Sequence, residues 1–183
     1  MSIIYIFDID DTLYQINSDE FSYDKLKPSQ QLIDNLNNIP SNIPKYILTN
    51  ATMTHAIRVL NILQIRDQFK LIFSRDSINS MKPNPRCYIR AIKSIMENEN
   101  INRYPDMNIL FFDDLEDNLQ GAKIFNWRTV LIKNDNSNDY SIKNKNYYNQ
   151  TIIDYKFNNI NAGLEYFNNL SSSVCNFNDN SLI

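Results

Sequence analysis

The chain reads as an α/β protein, a single doubly wound domain on a parallel sheet. Three observations predict this. Short apolar runs rich in Ile, Leu and Phe recur along the sequence, as expected of strands buried on both faces. Stretches with apolar residues at helical spacing separate them, and strands alternating with helices imply right-handed crossovers and a sheet covered on both sides. The length of 183 residues, 43% of them hydrophobic and 21% charged, suits one well-covered core.

The elements follow in order. Ile3-Ile4-Tyr5-Ile6-Phe7 is the first strand. A polar stretch from Gln15 to Lys27 leads to Pro28, which suits a helix start; Leu32, Ile33, Leu36 and Ile39 then repeat at helical spacing until Pro40 and Pro44 end the helix. Tyr46-Ile47-Leu48 is a short strand ending in Thr49-Asn50. Thr52 is placed to cap a helix whose apolar face is Ala56, Val59, Leu60 and Leu63. Leu71-Ile72-Phe73 is a third strand. Asn84-Pro85 opens the next helix, with Tyr88, Ala91, Ile92 and Ile95 on its buried side. Met107 to Phe112 forms a fourth strand that runs into Asp113-Asp114. Leu119, Ala122 and Phe125 mark the helix after it, and Thr129 to Ile132 the fifth strand. Residues 134–150, rich in Asn, Lys and Tyr, read as a solvated loop. A last strand at Ile152-Ile153 and a helix from Asn161 to Leu170 complete a domain over 1–170, with 171–183 expected as a disordered tail.

Chemistry enters where the first strand discharges into Asp8-Ile9-Asp10-Asp11. Ionised carboxylates about 4 Å apart repel by roughly 4 kcal/mol at an effective dielectric of 20. Such a cluster calls for a cation or a held proton. Phosphoryl transfer uses both: a Mg²⁺, and a carboxyl group that delivers a proton to a leaving oxygen. The plain alternative is a polar turn that caps a helix with several Asp. The topology decides between them. Strand carboxyl ends share one edge of a parallel sheet, and ligands bind there. Asp8, Asp10, Thr49 and Asp114 all fall at or just past strand ends, so groups distant in sequence converge on one pocket.

Composition narrows the partners. The net charge of −3, with no dominant Lys/Arg run, disfavours a nucleic-acid backbone as ligand. No segment has the unbroken apolar length of a membrane span, and the N-terminus lacks the pattern of an export signal. Cys87 and Cys175 have neither zinc-like spacing nor a disulfide framework, so free thiols in the cytoplasm are expected. Two glycines, Gly121 and Gly163, do not make a Gly-rich phosphate loop, and the one histidine, His55, excludes a histidine-rich metal site. Nothing in the pattern points to an oligomeric state.

Four segments together resemble the haloacid-dehalogenase (HAD) superfamily of hydrolases: Asp8-Ile9-Asp10-Asp11-Thr12, Thr49 after Tyr46-Ile47-Leu48, Lys82-Pro83, and Asp113-Asp114 with Asp117-Asn118. The resemblance spans residues 3–170 and implies a Rossmann-like fold. Within the superfamily, Phe7 to Tyr14 and Thr49-Asn50-Ala51 with His55-Ala56 and Arg58-Val59-Leu60 are most similar to pyrimidine-type 5′-nucleotidases. Those enzymes carry a helical cap after the first motif. Here Tyr23 to Leu36 already resembles its far side, so the cap is expected to be missing or reduced to Gln15–Asp24.

The resemblance implies roles. Asp8 is the expected nucleophile, forming an aspartyl-phosphate, and Asp10 the general acid and base. HAD dehalogenases and P-type ATPases lack a carboxylate at the position matching Asp10, which favours a phosphatase. Mg²⁺ is expected on the Asp8 carboxylate, the Asp10 backbone carbonyl and Asp114, with Asp113 and Asn118 behind them and Thr12 tightening the loop. Thr49, through its hydroxyl and backbone N–H, Asn50 and Lys82 are expected to receive the phosphate. Asp11 is expected to serve the turn, and His55 to have no role. The implied substrate is a phosphorylated small molecule such as a nucleoside monophosphate. An open site would also admit a phosphoprotein or a nucleic-acid end, and a non-catalytic binding module on the same fold is the remaining alternative.

Overall fold

The computed structural model describes residues 2–15, 21–133 and 152–179. The expected loop at 134–150 lies outside the described residues. Among the described residues six strands, β1 (Ser2–Phe7), β2 (Lys45–Leu48), β3 (Ile72–Phe73), β4 (Met107–Asp113), β5 (Arg128–Ile132) and β6 (Tyr155–Phe157), form one sheet in the order β3-β2-β1-β4-β5-β6. Every pairing is parallel. The α-helices among the described residues are α1 (Gln30–Asn37), α2 (Met53–Ile62), α3 (Pro85–Asn98), α4 (Glu116–Lys123) and α5 (Ile160–Asp179).

The doubly wound expectation holds because the strand side chains are apolar on both faces. Tyr5, Phe7 and Ile9 point to one side, where they pack with Leu32 and Leu36 of α1, Val59 and Leu60 of α2, and Leu164 and Phe167 of α5. Ile4 and Ile6 point to the other, against Tyr88, Ala91 and Ile95 of α3 and Leu119 and Ala122 of α4. That period of two places a core on each face. Chain direction across the sheet reverses between β1 and β4, which lie side by side with Phe7 opposite Phe112. The C-terminal ends of these two strands flank the switch point where open α/β sheets bind ligands.

Two helix starts agree with the sequence expectations in atomic detail. Thr52 Oγ1 accepts from the His55 N–H, and Asn84 Oδ1 accepts from the Arg86 N–H with Pro85 in the first turn. Several element ends differ: β3 starts at Ile72 rather than Leu71, and α4 stops at Lys123, short of Phe125. α1 begins after Pro28, because Ser29 is the residue whose hydroxyl caps it. The last strand is Tyr155–Phe157 rather than Ile152-Ile153. Ile153 is buried as a plug in the α3/α4 core, while the Asp154 carboxylate accepts from the Thr129 N–H at 2.7 Å and Thr129 Oγ1 donates to the Ile152 carbonyl at 2.6 Å. The ladder with β5 therefore starts only beyond Asp154. Finally, α5 continues past Leu170 to Asp179, inside the tail expected to be disordered, whose residues 180–183 lie outside the described residues. Extending an existing helix needs no new nucleus, and 171–179 contains neither Pro nor Gly to stop it.

Gly121 sets the spacing of α4. A Cβ there would stand 2.7 Å from the Tyr88 hydroxyl and 2.9 Å from the Pro83 carbonyl oxygen. That hydroxyl donates to the Asn118 carbonyl at 2.7 Å. Gly121→Ala is expected to cost about 1–3 kcal/mol through overpacking, measured by chemical denaturation. A variant as stable as the parent would show that α4 can shift freely.

Candidate active site

Asp8 lies just beyond β1, and its N–H donates to the Phe112 carbonyl at 2.9 Å, which ties it to the end of β4. Asp113 closes β4 and Asp114 follows it. One carboxylate oxygen from each of Asp8, Asp113 and Asp114 lies within 4.8 Å of the others. Lys82 reaches into this group from the loop before α3. Its Nζ donates to Asp8 Oδ1 at 2.7 Å and to Asp113 Oδ2 at 2.6 Å, with the side chain only 1% exposed.

The charges do not balance among these groups. Burial opposes the Lys82 charge, but Asp113 and Asp8 outweigh it and hold the ammonium above its usual value. Burial pushes the Asp8 carboxyl up to about 7; Lys82 pulls against this, while Asp113 and Asp114 add to it. Asp114 is pushed up to about 6, again first by burial and then by Asp113. One cation cannot offset three clustered carboxylates, so the site has a deficit of positive charge. Hard oxygen donors with that deficit fit Mg²⁺.

Asp113 and Asp114 are held differently. Asp113 is fully buried and accepts from Lys82, from Asn118 Nδ2 at 2.9 and 3.2 Å, and from the Leu115 N–H at 2.9 Å. Asp114 is half-buried and takes the Thr12 hydroxyl at 3.4 Å. Asp114 is thus the less committed of the two, and Asp113 with Asn118 fixes Lys82. Asp11 has a φ of 57°, so it serves the turn that carries Asp10 past the strand end.

The phosphate-side residues are placed with two differences from expectation. The Thr49 N–H is spent on the Phe73 carbonyl at 2.9 Å, because pairing with β3 continues one residue beyond the strand. The Thr49 hydroxyl oxygen accepts from the Ala51 N–H at 3.1 Å, which leaves its hydrogen to donate. Asn50 forms a reciprocal pair with the Lys82 backbone, accepting from its N–H at 2.7 Å and donating to its carbonyl at 3.0 Å. A carboxamide mimics a peptide group, so Asn50 clamps the lysine loop in place.

The sequence reading missed His55. Its Nε2 lies 2.9 Å from Asp10 Oδ1 and its Nδ1 lies 2.9 Å from the Tyr23 hydroxyl. Tyr14 donates its hydroxyl hydrogen to the same Asp10 oxygen. The available signal was the Thr52 cap, which sets His55 in the first turn of a helix beginning at the ligand edge. Cys87 is buried in α3 with its thiol pushed up to about 12 by burial, and it is inert.

A family model for haloacid dehalogenase-like hydrolases matches residues 20–126, more than half of the chain. The chain belongs to the haloacid dehalogenase-like hydrolase family. The matched stretch carries Thr49, Lys82 and Asp113-Asp114, and the geometry brings Asp8 to them. No curated protein sequence matches the chain. Among solved HAD structures, the L-2-haloacid dehalogenase of Xanthobacter autotrophicus superposes with a TM-score of 0.58 at 15% identity, covering 79% of this chain and 62% of that one. The HAD-hydrolase YfnB of Bacillus subtilis, solved bound to magnesium, gives 0.58 at 17% identity over 76% and 54% of the two chains. A HAD phosphatase of Thermococcus onnurineus gives 0.54 at 17% identity over 76% and 57%. At these identities the likeness establishes the fold, and the chain spans 54–62% of the length of these three HAD proteins. Among the described residues no helix is long and apolar enough to cross a membrane.

Proposed function

We propose that this HAD hydrolase is a Mg²⁺-dependent phosphomonoester phosphatase that works through an aspartyl-phosphate on Asp8. The observation that carries the reading is the carboxylate of Asp10, oriented by two side chains, beside an acidic cluster that one lysine does not neutralise. A dehalogenase handles an anionic acid and expels a halide, and three clustered carboxylates would repel both. A phosphate ester arriving at a cation is accommodated, and its leaving oxygen needs the proton that Asp10 supplies.

Asp8 and Asp114, with the Asp10 backbone carbonyl, would hold the ion; Mg²⁺ supplies charge neutralisation and orientation of the phosphoryl oxygens when bound. Asp8 attacks phosphorus as Asp10 protonates the departing oxygen. Asp10 then takes a proton from the water that cleaves the aspartyl-phosphate, restoring both residues. Lys82 and the Thr49 hydroxyl stabilise the charge on the transferring group.

The resemblance of Thr49-Asn50-Ala51, His55 and Arg58 to pyrimidine-type 5′-nucleotidases implies a nucleoside 5′-monophosphate as substrate. The short span from Tyr14 to Ser29 offers little room for a helical cap, and α3 with β4 fills the interval from Lys82 to Asp113. Substrate is therefore closed over by the chain's own rim or by a partner.

The test is hydrolysis of an aryl phosphate and of a panel of nucleotides, sugar phosphates and phosphopeptides, with Mg²⁺ or with chelator. Activity is expected to fall about 100-fold or more without the ion and to return when Mg²⁺ is restored. No turnover of any member by Mg²⁺-loaded protein would refute the reading.

A further inference from the structure

The surroundings of Asp10 assign work to its two oxygens separately. Among the described residues, both hydrogen bonds to this carboxylate fall on Oδ1: one from the Tyr14 hydroxyl, and one with His55 Nε2 at 2.9 Å. On the far side of the imidazole, the Tyr23 hydroxyl sits 2.9 Å from Nδ1. A phenol that donates to Nδ1 requires the hydrogen to be on Nε2, and Nε2–H then donates to Oδ1. The reverse tautomer would set a bare nitrogen lone pair against the carboxylate. With that tautomer the chain of donors runs from Tyr23 through His55 to Asp10, and Tyr14 joins at its end.

The parts of this chain are braced. Arg58 lies with its guanidinium carbon 3.7 Å over the Tyr23 ring. Phe21 packs against Tyr23 and His55 with centroids 4.9 and 5.4 Å apart, and against Tyr14 at 6.4 Å. Asp10 and Tyr14 are further joined by an isolated bridge. The His55 side chain is 21% exposed and that of Asp10 33%, so the carboxylate is held yet still open on one side.

We propose that His55 and Tyr14 are positioning residues for Asp10: they commit Oδ1 to accepting hydrogen bonds and leave Oδ2 as the oxygen that carries the proton to and from substrate. The proposal rests on the phosphatase reading above. In the first step the Asp8 carboxylate forms a bond to phosphorus, the ester P–O bond breaks, and the Oδ2 proton moves to the leaving oxygen. In the second, water forms the new P–O bond, its proton returns to Oδ2, and the Asp8 acyl-phosphate bond breaks. His55 keeps its proton throughout. Its contribution is to stop the carboxyl group from rotating or placing its proton on the wrong oxygen, where a small misplacement is costly.

The discriminating measurement is dependence on the leaving group. A nitrophenolate departs with little help, whereas an alkoxide needs the acid. His55→Ala is expected to lose about tenfold or more beyond its aryl-phosphate loss when assayed on an alkyl phosphate, a part of the ~10²–10⁴ that a general acid supplies. His55→Gln, which can place an N–H near the same point, is expected to recover most of the difference. Tyr14→Phe should follow His55→Ala in direction, which keeps the test alive if one variant folds poorly. Equal losses on both substrates would overturn the positioning role.

A second readout needs no turnover. The chain has one histidine, so its ring nitrogens give one unambiguous set of ¹⁵N signals. Protonation on Nε2 alone is expected, weakened in Tyr23→Phe; protonation on Nδ1 with a bare Nε2 would overturn the proposal. Wild-type protein that hydrolyses neither ester refutes the phosphatase reading itself. Active wild-type protein with uniform losses in the variants refutes the positioning role alone.

Discussion

Replacing Lys82 by Met is expected to destabilise the protein by about 3–5 kcal/mol, the range for removing one partner of a buried ion pair. The ammonium lies 2.7 Å from Asp8 and 2.6 Å from Asp113, whose side chains are 9% and 0% exposed. Without it two carboxyl groups face each other out of water, and one must take up a proton. The effect has a sign in pH. A carboxyl whose folded-state value lies above its unfolded one favours folding below the unfolded value and loses that advantage as pH rises through the folded value. Asp8 is already raised to about 7 by burial, despite Lys82. The deficit of Lys82→Met should therefore be small near about pH 4 and open as pH passes the parent's Asp8 value of about 7. It should go on growing at about pH 8 and above, because the variant's Asp8 lies higher still. Urea denaturation of metal-free protein at the two pH values checks this. A variant within about 1 kcal/mol of the parent at the higher pH would show that the lysine is not the counter-charge.

Asp8→Asn is expected to lower turnover by about 10⁴-fold or more, as when other enzymes lose their nucleophile. No hydroxylamine-sensitive phosphate should then remain on the protein after exposure to labelled substrate. The fold should persist, because the Asn carbonyl can still accept from Lys82 and the amide removes an ionisation that burial disfavours. Metal-free Asp8→Asn should accordingly be at least as stable as the parent near neutral pH. Lost activity with retained stability identifies a chemical role; substantial residual turnover would exclude Asp8 as the nucleophile.

Much of this could be read from residue order because the information was local. The apolar run from Ile3 to Phe7 ending in carboxylates, the caps at Thr52 and Asn84, and the strand ending at Asp113 each declare themselves within a few positions. The misreadings share a different cause. Ile153 looked like strand because its apolar character did not reveal whether it would join the ladder or plug the core that holds Trp127. The Thr49 N–H looked available because its partner, Phe73, is supplied by another strand. His55 looked like surface because both its partners, Tyr23 and Asp10, come from a distant part of the chain. Contacts of that kind exist only after the sheet has formed, and no local periodicity encodes them.

The strands bearing the acidic groups occupy the middle of the sheet, and the two outermost strands, β3 and β6, are among the shortest. Fraying begins at such margins. The carboxylates at the ends of β1 and β4 are sheltered from it because each of these strands has a neighbour on both sides, so the periphery can breathe, or accept altered side chains, without dispersing the acid cluster. Rim and acid cluster are mechanically separable, and a change of side chains at the margin need not disturb the geometry at the centre.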